Sequence, residues 1–64
     1  SADQLLDEYR AKLAETNEFD AAAALWATAG KALLATGDKR AYTTFKAEVI
    51  NHRTALRDNG VIDV

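Results

Sequence analysis

The sequence contains no cysteine and no proline, and it has only three glycines among its 64 residues. Without cysteine, the chain forms neither disulfides nor iron–sulfur clusters nor thiolate zinc sites. The lack of proline and the scarcity of glycine argue against a collagen-like or low-complexity chain. Because a chain of about 60 residues buries only roughly 60% of its unfolded surface, we expect one small domain with a thin core.

Long apolar runs and catalytic side chains are also scarce. The longest unbroken apolar segment covers residues 21–27, far short of the ~20 residues that cross a bilayer, so we expect no membrane partner. Ser1 is the only serine, His52 is the only histidine, and the glycines lack the spacing of a phosphate-binding loop. We therefore predict a protein that is not an enzyme and takes no cofactor, no metal and no small-molecule substrate.

Hydrophobic periodicity predicts an all-α fold. Apolar residues recur at helical spacing in three segments, at about residues 2–16, 20–36 and 38–57, and an apolar tail follows at residues 61–64. The third segment has its apolar seam at steps of three and four, which is bundle spacing: Tyr42, Phe45, Val49, His52 and Leu56. The pattern predicts a small three-helix bundle in which helices 2 and 3 form an antiparallel hairpin.

Capping residues mark the ends of these helices. Ser1 has capping-box spacing to the residue three positions later. Asp20 is the expected N-cap of helix 2, and Gly37 is the expected residue just after its last turn. Asp38 follows at once as the expected N-cap of helix 3, which we expect to stop near residues 59–60.

The two signs of charge are separated along the chain. Residues 1–20 carry six carboxylates and two cations, a net charge of −4, whereas residues 31–57 carry six cations and two carboxylates, a net charge of +4. Helix 3 holds four of these cations in line, which we call the basic stripe: Lys39, Lys46, Arg53 and Arg57. Ile50 lies beside the basic stripe, near its middle.

The basic stripe spans roughly 27 Å at 1.5 Å per residue. We predict that it docks an anionic protein partner, and that Ile50 supplies buried apolar area. Two alternatives remain open. Either the basic stripe is an ordinary solvated face, or carboxylates of helix 1 neutralise it within the bundle.

Several large apolar residues fall outside the predicted core positions. Leu6 lies at the edge of the apolar face of helix 1, and the others lie on helix 2 or in the tail: Leu34, Val61, Ile62 and Val64. We predict that Leu34 and the three tail residues contact the same partner as the basic stripe. The alternative is that the tail folds back over the bundle and Leu34 packs on helix 1.

Glu48 and His52 are four residues apart on helix 3, so they share a face. They are candidates for two metal ligands, or for a base and the residue that orients it. A stable metal site needs at least one more convergent ligand. We therefore favour the interpretation that His52 packs in the apolar seam and Glu48 accepts a hydrogen bond from its ring.

These patterns predict a non-catalytic protein-interaction subunit, an accessory or structural component of a larger assembly, for which a virus particle is one instance. The expected location is cytoplasmic or otherwise intracellular, or the virion. The alternative is a small nucleic-acid-binding regulator, because the start of helix 3 looks like a helix-turn-helix reader with five polar residues: Lys39, Arg40, Thr43, Thr44 and Lys46. The net charge of −2 argues against that alternative, because nucleic-acid-binding domains are usually basic.

Overall fold

The computed structural model describes the backbone of residues 1–62 and the side chains of residues 1–58. It contains three helices, α1 (Ala2–Ala14), α2 (Phe19–Ala35) and α3 (Lys39–Ile62). Residues 1–62 form no strand. The predicted all-α three-helix bundle is confirmed, and α2 and α3 are the pair that packs most closely.

The core forms where the apolar faces of the three helices meet. Its buried residues come from all three helices: Leu6, Leu13, Ala22, Ala29, Leu33, Ala41, Phe45 and Val49. Phe45 and Leu33 are the largest fully buried side chains. The ring of Phe45 lies between Tyr9 of α1 and Trp26 of α2, with ring centroids 6.1 and 6.2 Å away. Phe45 therefore joins all three helices in one aromatic cluster.

The turn between α2 and α3 uses the capping residues that the sequence predicts. Gly37 has φ +82°, the left-handed conformation that glycine adopts at little cost, and its N–H donates to the Leu34 carbonyl at 3.0 Å. The Thr36 hydroxyl donates to the Leu33 carbonyl at 2.6 Å and accepts from the Asp38 N–H at 3.2 Å. Asp38 then caps α3, because its carboxylate accepts from the N–H three residues later at 3.1 Å.

The start of α2 differs from the expectation. Asp20 is not the N-cap, because Glu18 has extended backbone and its carbonyl already accepts the Ala22 N–H at 3.1 Å. Within the described part of the chain, no side chain caps this helix end. Asp20 lies in the first turn instead, where the positive end of the helix dipole favours a carboxylate.

The two outer helix ends also differ from the expectation. α1 ends at Ala14, because the amides of Glu15 and Thr16 bond to carbonyls three residues back and tighten the last turn. The expected stop of α3 after Arg57 is wrong, because its backbone remains helical through Gly60 to Ile62. A glycine inside a helix costs about 1 kcal/mol relative to alanine, which weakens a helix without ending it.

The rotation of α1 about its axis buries one residue that the sequence analysis placed at an edge. Leu6 is 8% exposed and belongs to the core. Leu5 and Tyr9 pack partly buried against the same cluster. The Ser1 hydroxyl accepts the Gln4 N–H at 3.4 Å, which confirms the predicted cap of this helix. No helix in residues 1–62 is both long and apolar enough to cross a membrane.

Candidate partner-docking site

The central residues of the basic stripe lie on α3 beside α2. Lys46 is exposed, Ile50 is 54% exposed, and Arg53 is partly buried. The two outer cations, Lys39 and Arg57, are exposed on the same helix. All four cations of the basic stripe lie within α3, and the binding role of the stripe stays a prediction.

A cleft of about 180 Å³ opens between α2 and α3 at the middle of the stripe. We call it the basic cleft, and it is lined by Ala23, Trp26, Lys46, Val49, Ile50 and Arg53. The small side chain of Ala23 leaves room on the α2 side. The sequence patterns did not assign Trp26 to the site. The spacing does place Ala23 and Trp26 together, because residues three positions apart are neighbours on the surface of one helix.

Arg53 is held by two contacts with the start of α2. Its Nε donates to the Phe19 carbonyl at 3.1 Å, and its guanidinium carbon lies 3.8 Å from the centroid of the Phe19 ring. A guanidinium over an aromatic face is attracted by the ring quadrupole. These contacts fix the orientation of Arg53 at the rim of the basic cleft, and sequence analysis missed them.

The carboxylates of α1 do not neutralise the centre of the basic stripe. Among the side chains of residues 1–58, no carboxylate lies within 4.0 Å of Lys39, Lys46 or Arg53. Arg57 makes a long contact with its neighbour Asp58, with 3.9 Å between Nε and Oδ1. The alternative in which carboxylates of helix 1 neutralise the stripe is therefore wrong for Lys39, Lys46 and Arg53.

An ion pair joins α1 and α3 with the charges the other way round, because its cation lies on α1 and its carboxylate lies on α3. Arg10 of α1 donates to Glu48 of α3 through Nε at 2.8 Å and through Nη2 at 2.6 Å. This two-pronged geometry suits a guanidinium and a carboxylate. The hydrogen bond to Glu48 raises the pKa of Arg10, a partial loss of solvent opposes that rise, and the charges of Glu48 and Asp7 add to it.

The Glu48–His52 arrangement expected from the sequence does not form. Glu48 is engaged by Arg10, and His52 Nε2 lies 2.7 Å from the Thr16 carbonyl oxygen. Since a carbonyl only accepts, Nε2 carries the hydrogen in this contact. Within the described residues, no cluster of three or more histidine and carboxylate side chains is placed to hold a metal ion.

Leu34, a further predicted contact residue, does not line the basic cleft. Leu34 is 54% exposed. It lies eleven residues along α2 from Ala23, about 16 Å away at helical rise. For Val61 and Ile62 only the backbone is described, and Val64 lies outside the described residues. The structure therefore assembles the central part of the predicted site and leaves Leu34 apart from it.

No family model matches this sequence, and comparison with curated proteins and with solved structures finds no significant similarity. The fold and the basic cleft of this chain therefore carry the functional inference by themselves.

Proposed function

We propose that this chain is a non-catalytic protein-interaction subunit, an accessory or structural component of a larger assembly, which docks through the basic cleft. The observation that supports this most is the exposed Ile50 beside Lys46 and Arg53. No carboxylate of residues 1–58 lies within 4.0 Å of either cation. An apolar side chain between two such cations suits a partner surface that is both apolar and acidic.

The size of the chain is compatible with this role. A stable interface takes about 800 Å² from each partner, and the whole chain exposes 4468 Å². Docking would cover roughly a fifth of the surface, which adds apolar burial to a core of eight residues. A subunit of an assembly gains stability in this way, because a partner that binds only the folded state stabilises it.

A protein partner fits the chain better than a nucleic acid. Six carboxylates are exposed in the first half of the chain, at Asp3, Asp7, Glu8, Glu15, Glu18 and Asp20. Such groups repel phosphates, and proteins that bind nucleic acids usually present a strong excess of positive charge. A viral source and an intracellular location remain predictions of the same proposal.

Charge reversal at the cleft tests this proposal. Lys46→Glu should lower the number and the amount of the proteins that the immobilised chain retains from a cell lysate. The same substitution should weaken self-association of the chain, which light scattering measures. Lys31→Glu is the matched control, because Lys31 is an exposed cation on α2 outside the cleft lining. Equal retention and equal association by the wild type and both variants would contradict the proposal.

A further inference from the structure

We infer that the basic cleft binds an acidic protein segment in which one large apolar side chain is flanked by carboxylates. This inference rests on the proposed function and names the chemistry of the partner. The apolar side chain enters the cleft between α2 and α3, and the carboxylates meet Lys46 and Arg53 at its rim.

The volume and lining of the basic cleft match one large side chain. A dry apolar cavity of about 150 Å³ holds a benzene molecule, so a cleft of about 180 Å³ holds one branched aliphatic or aromatic side chain. Ala23, Val49 and Ile50 supply aliphatic walls, and the Trp26 ring supplies an aromatic one.

Arg53 is arranged to accept a carboxylate from outside. Its Nε donor is used by the Phe19 carbonyl, and its guanidinium plane is held over the Phe19 ring. Among the side chains of residues 1–58, no carboxylate lies within 4.0 Å of Arg53, so its Nη donors are the ones that would meet a partner carboxylate. Because the guanidinium is already ordered, less side-chain freedom is lost when a carboxylate binds.

The two cations flank the position of the apolar side chain. Lys46 and Arg53 are seven residues apart on α3, about 10 Å along the helix axis, and Ile50 lies between them. A segment whose apolar residue is seated at Ile50 therefore meets a cation on each side. A lone carboxylate or a lone apolar residue uses only part of this arrangement.

Capped peptides without tryptophan test the inference, and Trp26 reports binding because it is the only tryptophan and lines the cleft. The first peptide has one leucine between two aspartates on each side. In the second the leucine is replaced by alanine, and in the third the aspartates are replaced by asparagines. We expect a saturable change of Trp26 emission with the first peptide and at least tenfold weaker binding of the other two.

Variants of the chain locate the site. Ile50→Ala and Lys46→Glu should each weaken binding of the first peptide at least fivefold, while Lys31→Glu should leave it unchanged. Both cleft positions are exposed, so the variants are expected to fold, which far-ultraviolet circular dichroism checks.

Three results would overturn the inference. They are equal binding of the leucine and alanine peptides, tighter binding of single-stranded DNA than of the first peptide, and an unchanged Trp26 emission at millimolar peptide. If one of these occurs while association of the chain still depends on Lys46, only the partner chemistry is wrong. If association is also independent of Lys46, the proposed function fails as well.

Discussion

The two flanks of α3 differ in how their charged groups are partnered. On the flank beside α1, Glu48 accepts hydrogen bonds from Arg10, and His52 contacts the Thr16 carbonyl at the end of α1. On the flank beside α2, no carboxylate of residues 1–58 lies within 4.0 Å of Lys46 or Arg53.

This difference separates structural from binding roles on a single helix. A charge that already has a partner within the bundle helps to fix how two helices pack, and an outside partner would have to displace that contact. At the basic cleft, an outside carboxylate would displace no carboxylate of residues 1–58, because none lies within 4.0 Å of either cation. We therefore assign the α1 flank to holding the bundle and the α2 flank, with the basic cleft, to docking.

The largest effect on the free energy of unfolding should come from truncating Phe45, the aromatic residue between the two flanks. Phe45→Ala removes a fully buried ring that contacts both α1 and α2, and such truncations cost about 3–5 kcal/mol. A domain this small has little stability to lose, so urea unfolding followed by circular dichroism should show a chain that is largely unfolded without denaturant. Ile50→Ala, on the cleft side, should change the free energy of unfolding by no more than about 0.5 kcal/mol. Equal losses for the two variants would remove the distinction between core and cleft.

Replacing each of two glycines by alanine should change the stability of the chain in opposite directions. Gly37→Ala forces a β-carbon into the left-handed conformation at φ +82° and should destabilise the chain by about 1–2 kcal/mol. Gly30→Ala places a methyl in ordinary contact with the Trp26 and Tyr42 rings, at 3.4 and 3.5 Å, and should stabilise the chain by up to about 1 kcal/mol through helix propensity. Thermal unfolding of both variants measures the difference. A destabilised Gly30→Ala variant would mean that the rings behind the cleft have no room to adjust.

The smallest effect on thermal stability is expected when one charge is removed from either flank of α3. Glu48→Gln removes the carboxylate that Arg10 binds, so its Tm should fall slightly, and the fall should shrink at high salt. Lys46→Gln removes a charge at the cleft and should leave the Tm unchanged. Identical Tm values for Glu48→Gln, Lys46→Gln and the wild type at low salt would show that the charges of the α1 flank contribute no more to stability than those of the cleft.

Local patterns allowed most of the fold to be predicted from the sequence. The caps at Ser1 and Asp38 and the left-handed Gly37 depend only on residues within four positions, and all three are confirmed. The seam residues Phe45 and Val49 followed from a repeat of three and four, and both are buried. Helical periodicity was sufficient for these features because it is a property of one segment at a time.

Contacts between helices could not be predicted in the same way, because they depend on the rotation and shift of one helix against another. Charge totals left open the alternative that carboxylates of α1 neutralise cations of α3, yet the observed pair is Arg10 of α1 with Glu48 of α3. The contact of Arg53 with Phe19 and the cleft at Trp26 likewise arise from helix placement. The sequence patterns therefore indicated the cations of the site and Ile50, but they did not indicate Ala23 and Trp26 on the α2 side of the cleft.

The most direct test of the division between the two flanks is a double variant of the basic cleft, Lys46→Glu with Ile50→Ala, measured for both stability and binding. We predict a Tm within about 8 °C of the wild type, since two exposed substitutions together change stability by at most about 1 kcal/mol and each kcal/mol shifts Tm by about 4–8 °C in a domain of this size. The same variant should lose the Trp26 emission response to the leucine-containing acidic peptide. An unfolded variant, or one that binds the peptide as tightly as the wild type, would contradict the assignment of this flank to docking.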